Sequence, residues 1–153
     1  MLQAGDVAPP FVLPTDGDGT LSTADLEGQP YVLYFYPRDN TPGCTQEGCD
    51  FRDNFARIAA QGATVVGVSP DSPKKHTNFK AKYDFPFSLV SDEELELHRA
   101  YGAWGPKKFM GKSYEGTLRS TFLVGSDGKI ARAWPKVRVK GHVDEVLEAL
   151  GEL

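Results

Sequence analysis

The most continuous apolar run in the chain is Tyr31 to Tyr36 (YVLYFY), directly after Gly28-Gln29-Pro30. A run without alternation marks a strand covered on both faces, so it predicts a central strand. Beyond Pro37-Arg38-Asp39-Asn40-Thr41-Pro42-Gly43 the period changes. Cys44, Phe51, Phe55 and Ile58 fall on one helical stripe that lasts until Gly62, which reads as strand, loop and helix. Thr64 to Ser69 (TVVGVS) predicts a second buried strand and Lys74 to Tyr83 a polar helix. Phe87 to Val90 follows as a short strand and Glu93 to Tyr101 as another helix.

Ser120 to Val124 and Ile130 to Trp134 flank Ser126-Asp127-Gly128-Lys129, a hairpin signal, and Val143 to Leu150 closes the chain as an amphipathic helix. Near the start, residues 11 to 13 and 20 to 22 flank Asp16-Gly17-Asp18-Gly19, which predicts a short N-terminal hairpin. Trp104 to Leu118 mixes glycine and proline with no clean period and reads as a long loop. Parallel βαβ units followed by a hairpin and a helix predict an α/β fold, a three-layer sandwich with helices on both faces of the sheet. At 153 residues the whole chain, 1–153, is expected to form a single domain.

Charge narrows the partners. Lys+Arg 17 against Asp+Glu 21 gives a net charge of -4, which disfavours nucleic acid and anionic lipid. The basic stretches Lys107, Lys108, Lys112 and Arg132, Lys136, Arg138, Lys140 are read as solvated faces. The start, MLQAGDVAPPF, lacks a charged region followed by an apolar run, and no later segment approaches a membrane span, so a cytoplasmic location without membrane association is expected. In a reducing compartment the two cysteines stay thiols, and a disulfide between them would be transient and catalytic.

Thr41-Pro42-Gly43-Cys44 has the form of a helix start, with Thr41 as N-cap, Pro42 at the first helical position and Cys44 in the first turn. A sulfur there meets the positive end of the helix, and the thiolate is the nucleophile. On its stripe Cys44 is expected to face inward at the base of a pocket. The second thiol, Cys49, lies on the same helix. His76, His98 and His142 are scattered singly and are read as solvated, so no metal site is expected. The spacing from Cys44 to Cys49 is also not that of a CxxC reductase.

Ionisation alone cannot make such a thiol a fast peroxide nucleophile. Lowering a cysteine pKa from about 8.5 to about 6 raises the thiolate fraction at pH 7 roughly 30-fold, while nucleophilicity falls by about 13-fold, a net gain of about twofold. The rest must come from donors that position the peroxide and stabilise charge on the departing oxygen. Thr41 offers a hydroxyl, alternatively only an N-cap, and Arg38, Arg52 and Arg119 are equally eligible cations.

Pro37-x-x-x-Thr41-x-x-Cys44 resembles the active-site motif of the peroxiredoxins, and TPGCTQEGCDFRD (Thr41 to Asp53) is similar to their Q-type, or bacterioferritin comigratory protein, subfamily. The likeness runs on through YGAWGPKKFMGKSYEG (Tyr101 to Gly116), RSTFLVGSDGKI (Arg119 to Ile130) and VKGHVDEVLEAL (Val139 to Leu150). It implies a thioredoxin-like fold with a central mixed sheet and a peroxidase needing no cofactor. Cys44 would be the peroxidatic and Cys49 the resolving thiol. Arg119 would be the active-site arginine, with Pro37 shielding the thiol and Thr41 hydrogen-bonding the peroxide. The resemblance further implies a hydroperoxide substrate, recycling by thioredoxin or a similar dithiol, and a monomer. Glu47 matches an acidic position of the motif for which the sequence supplies no chemical role.

Overall fold

The computed structural model describes residues 1–153. The apolar run becomes β3 (Tyr31–Phe35), buried throughout. It pairs in parallel with β4 (Thr64–Ser69), which pairs in parallel with β5 (Ser88–Ser91). On its other side β3 pairs antiparallel with β8 (Ser120–Val124), and β8 with β9 (Ile130–Trp134). The sheet order is therefore β5-β4-β3-β8-β9, mixed as expected. An N-terminal hairpin joins β1 (Val12–Pro14) to β2 (Thr20–Ser22), with a short 3-10 turn at Asp16–Asp18 between them.

The two-residue period of β3 divides the core. Val32 and Tyr34 face a layer that includes α1 (Pro42–Asp53), α2 (Phe55–Ala60) and α5 (His142–Gly151), with Phe79 of α3 (Pro73–Tyr83) at its margin. Leu33 and Phe35 face the opposite layer, where α4 (Glu96–Tyr101) supplies Leu97 and Tyr101. No helix is long and apolar enough to cross a membrane.

Three expectations need correction. The stripe from Cys44 to Ile58 is two helices, because Asn54 leaves helical geometry (φ -110, ψ 5) and its side-chain amide donates to the Asp50 carbonyl at 2.9 Å. A side chain that takes a backbone carbonyl competes with helix continuation. Trp104 to Leu118 is not a loop but an antiparallel hairpin of β6 (Trp104–Phe109) and β7 (Lys112–Thr117). Met110 (φ 51) and Gly111 (φ 79) form its turn, the left-handed pair that a two-residue hairpin requires.

The histidines are buried, not solvated: His76 and His98 are 0% exposed and His142 is 1% exposed. Each has a polar partner that offsets its desolvation. His76 Nδ1 meets Asp39 Oδ2 at 2.7 Å and its Nε2 meets the Val90 carbonyl at 2.9 Å. His98 bridges Asp92 Oδ2 (2.6 Å) and Thr117 Oγ1 (2.9 Å), and His142 Nε2 meets Thr121 Oγ1 at 2.8 Å.

Candidate active site

The loop between β3 and α1 is fastened through Asp39. Its backbone N–H donates to Asp71 Oδ2 at 2.8 Å, and its carboxylate accepts from Tyr36 Oη at 2.6 Å while meeting His76. Asn40 then takes a left-handed turn (φ 59) that delivers the chain to Thr41, the N-cap of α1 (φ -94, ψ 156). Pro37, in the same loop, is half-buried. Thr41 makes no side-chain cap to the helix; its hydroxyl donates to the Arg38 carbonyl at 2.9 Å. A hydroxyl has one proton and two acceptor positions, so Oγ1 keeps acceptor capacity.

Cys44 stands in the first turn of α1 and is 1% exposed. Of the three eligible cations, Arg119 reaches it: Nη2 donates to Cys44 Sγ at 3.2 Å. Arg38 is exposed, and Arg52 is engaged by Asp53 Oδ1 (3.0 Å) and the Tyr83 carbonyl (2.8 Å). The other arm of Arg119, Nη1, donates to Glu47 Oε1 at 2.6 Å. Glu47 lies one helical step beyond Cys44, is 1% exposed, and its Oε2 has no partner. Burial raises the Glu47 carboxyl to about 7 against the opposing pull of Arg119. Burial also works against the Arg119 charge, yet Glu47 and Cys44 outweigh it and hold the guanidinium above its usual range.

The arrangement can therefore keep one arm of a fixed, partly buried guanidinium on the sulfur while Glu47 holds the other. A guanidinium supplies the planar donor geometry suited to a thiolate and to an oxygen gaining charge beside it. A second cation stands nearby. Lys107 of β6 donates from Nζ to the Thr117 carbonyl at 2.8 Å, and burial, then the charge of Arg119, lower its pKa. The basic stretch around Lys107 is thus not wholly a solvated face.

Cys49, on the next turns of α1, is a free thiol like Cys44. It is partly buried against the same apolar layer as Phe55, Val137 and Leu147, and burial raises its pKa. Clefts of about 410, 230, 580 and 340 Å³ are lined by residues other than Cys44. The expected inward orientation holds, with the thiol facing Arg119. Two members of the site eluded sequence reasoning. Glu47 finds its partner 72 residues away, and Lys107 reads in the sequence as part of a solvated basic stretch.

Residues 4–133 match the AhpC/TSA family. The chain is 45% identical over 152 residues to the peroxiredoxin Bcp of Bacillus subtilis (strain 168), covering 99% of this chain and 97% of that protein. It is 41% identical over 151 residues to the peroxiredoxin Bcp of Escherichia coli (strain K12), covering 99% and 97%. Among solved structures, a cysteine-to-serine mutant of Xylella fastidiosa PrxQ superposes with a TM-score of 0.94 at 38% identity, covering 99% of this chain and 97% of that one. A Xanthomonas campestris bacterioferritin comigratory protein, studied for alkyl peroxide reduction through trapped intermediate and ligand complexes, gives a TM-score of 0.88 at 43% identity, covering 93% and 90%.

Proposed function

Since this chain belongs to the AhpC/TSA family and, with its thioredoxin-like fold, to the Bcp and PrxQ peroxiredoxins, we propose that Cys44 attacks the hydroperoxide, Cys49 resolves the product as an intramolecular disulfide, and thioredoxin or a similar dithiol protein restores both thiols. The observation that carries this reading is the fork of Arg119, with Cys44 Sγ at 3.2 Å on one arm and Glu47 at 2.6 Å on the other.

In the first step the Cys44 thiolate forms a bond to the terminal peroxide oxygen as the O–O bond breaks. The electron pair of that bond leaves on the other oxygen, which takes a proton to become water or an alcohol, and Cys44 is left as a sulfenic acid. Arg119 stabilises the charge moving from sulfur to oxygen, and the free acceptor position of Thr41 Oγ1 orients the hydroperoxide proton. Pro37 shields the thiol from bulk water. In the second step the Cys49 sulfur bonds to Cys44 Sγ and water departs. A dithiol then returns two electrons and two protons. The 153 residues act as one domain and as a monomer, in a reducing compartment such as the cytoplasm.

Peroxide consumption coupled to NADPH through thioredoxin reductase and thioredoxin tests the cycle. Cys44→Ser is expected to abolish consumption. Cys49→Ser is expected to keep one stoichiometric oxidation per chain and lose thioredoxin-linked turnover. Equal residual turnover in the two variants would overturn the assignment of roles.

A further inference from the structure

The segment from Arg132 to Lys140 borders the site with charge that the peroxide chemistry leaves unused. Val137 N–H donates to the Arg119 carbonyl at 3.0 Å, so the segment is fastened to the residue that holds the thiol. Arg132, Lys136, Arg138 and Lys140 are exposed, and none forms an ion pair within the chain. No Asp or Glu occurs between Asp127 and Asp144, in a protein whose net charge is -4. Like charges gathered this way repel one another unless a partner of opposite charge meets them.

Lys136, Arg138 and Lys140 line a cleft of about 340 Å³, with Trp134 and His142 within it and Glu145 as its one acid. The cleft adjoins the helix that carries the thiols. The His142 ring meets Phe51 of α1 edge-on at 6.2 Å between centroids, and Cys49 packs against the same apolar layer as Val137.

We propose that this basic segment is the docking surface for the protein dithiol that reduces the Cys44–Cys49 disulfide, and that the dithiol protein meets it with an acidic face. The inference rests on the disulfide cycle proposed above. A protein whose thiolate reaches Cys49 approaches the apolar layer against which Val137, between Lys136 and Arg138, also packs. The overall negative charge favours a compact acidic protein over a long polyanion, whose flanking charges the rest of the surface would repel. Docking precedes the exchange itself, in which one dithiol is oxidised to a disulfide and two electrons pass to Cys44 and Cys49.

The test uses the full chain with a thioredoxin that carries an acidic rim, thioredoxin reductase and NADPH. The combined variant Lys136→Glu, Arg138→Glu, Lys140→Glu should raise the KM for thioredoxin by about tenfold or more and flatten the salt dependence of kcat/KM for thioredoxin. The rate of the single peroxide oxidation by pre-reduced protein should not change. Glu145→Gln removes the one acid of the cleft and should lower that KM, which keeps the test valid if the triple variant folds poorly. An unchanged KM and salt slope in both variants would overturn the proposal. So would loss of binding to a labelled RNA oligonucleotide with the KM unchanged. Absence of a Cys44–Cys49 disulfide in peroxide-treated wild type, by thiol titration, would instead remove the cycle on which the proposal rests.

Discussion

Glu47 holds Arg119 from the buried side of the site, its Oε1 accepting from Nη1 at 2.6 Å while its own surface is 1% exposed. The carboxyl therefore binds its proton more tightly in the folded chain than in the unfolded one, where it titrates near the ordinary 4.5 against about 7 when folded. A folded state that binds more protons loses stability as pH rises. The Glu47 contribution is present below about 4.5 and is lost as pH climbs through about 7. His142 slopes the other way, because burial, then the charge of Arg132, lower it from 6.5 to about 4. Its contribution is present above 6.5 and is lost as pH falls through about 4. Subtracting wild type from variant isolates each. In thermal melts from pH 4.5 to 7.5, Glu47→Gln should gain stability relative to wild type as pH rises. A constant difference across that range would show that Glu47 does not titrate there.

Arg119→Lys should cost activity more than stability. An ammonium still places positive charge opposite Glu47, but it lacks a planar fork and cannot serve Glu47 and Cys44 together. Loss of one such donor elsewhere lowers turnover by about 10² to 10³ fold, and a fall in kcat/KM of about 10²-fold is expected here, with a small shift in Tm. Retention of kcat/KM within about twofold of wild type, measured with hydrogen peroxide, would make Arg119 a bystander.

Gly48→Ala should destabilise the protein although alanine is the better helix former. A methyl at Gly48 would stand 2.5 Å from Phe85 Cζ. Phe85 has little freedom to yield, since it is 3% exposed, stacks on Phe87 at 5.2 Å and meets Phe79 edge-on at 4.9 Å. Overpacking of about 1–3 kcal/mol outweighs a propensity gain of about 1 kcal/mol. Urea melts should show a lower midpoint for Gly48→Ala, and a higher one would mean that Phe85 moves aside at no cost.

These cases show what the sequence could and could not reveal. β3, β4 and β8 were legible because burial on both faces leaves an almost uninterrupted apolar run, and β9 because the Asp127-Gly128 turn marks its hairpin with β8. The β6–β7 hairpin was not, since Phe109, Met110 and Tyr114 are exposed and no buried face imposes alternation. The local motif from Pro37 to Cys49 was visible as chemistry because helix start and thiols are contiguous. Glu47, His76 and His98 were misread or left without a role because their partners, Arg119, Asp39 and Thr117, lie 72, 37 and 19 residues away. A single sequence carries no sign of such pairs, and an isolated polar residue on a helix then reads as solvated.

Formation of the Cys44–Cys49 disulfide should unwind the first turns of α1 while its C-terminal end stays in place. Both residues lie within one continuous helix, Pro42–Asp53. Five residues along an α-helix separate two Cα atoms by about 7.5 Å axially and about 140° around the axis, which together give roughly 8.7 Å. A disulfide requires Cα atoms within about 7 Å, so the helical state cannot be bridged without backbone movement. Opening is opposed at the far end, where Phe51 is 0% exposed and stacks on Tyr34 at 4.7 Å, and where Arg52 donates to the Tyr83 carbonyl at 2.8 Å. It is less opposed at the near end, where Pro42 and Gly43 are exposed and Thr41 supplies no side-chain cap. Opening there breaks the Arg119 contact to Cys44 and brings Cys49 out of its apolar contacts, within reach of a dithiol partner. Hydrogen exchange followed by mass spectrometry on reduced and oxidised protein reads this directly. Amides from Cys44 to Asp50 should lose protection on oxidation, whereas those of β3 and of Ile58 should keep it. Unchanged protection from Cys44 to Asp50, in a sample whose disulfide is verified by mass, would show that the bond forms without unwinding the helix.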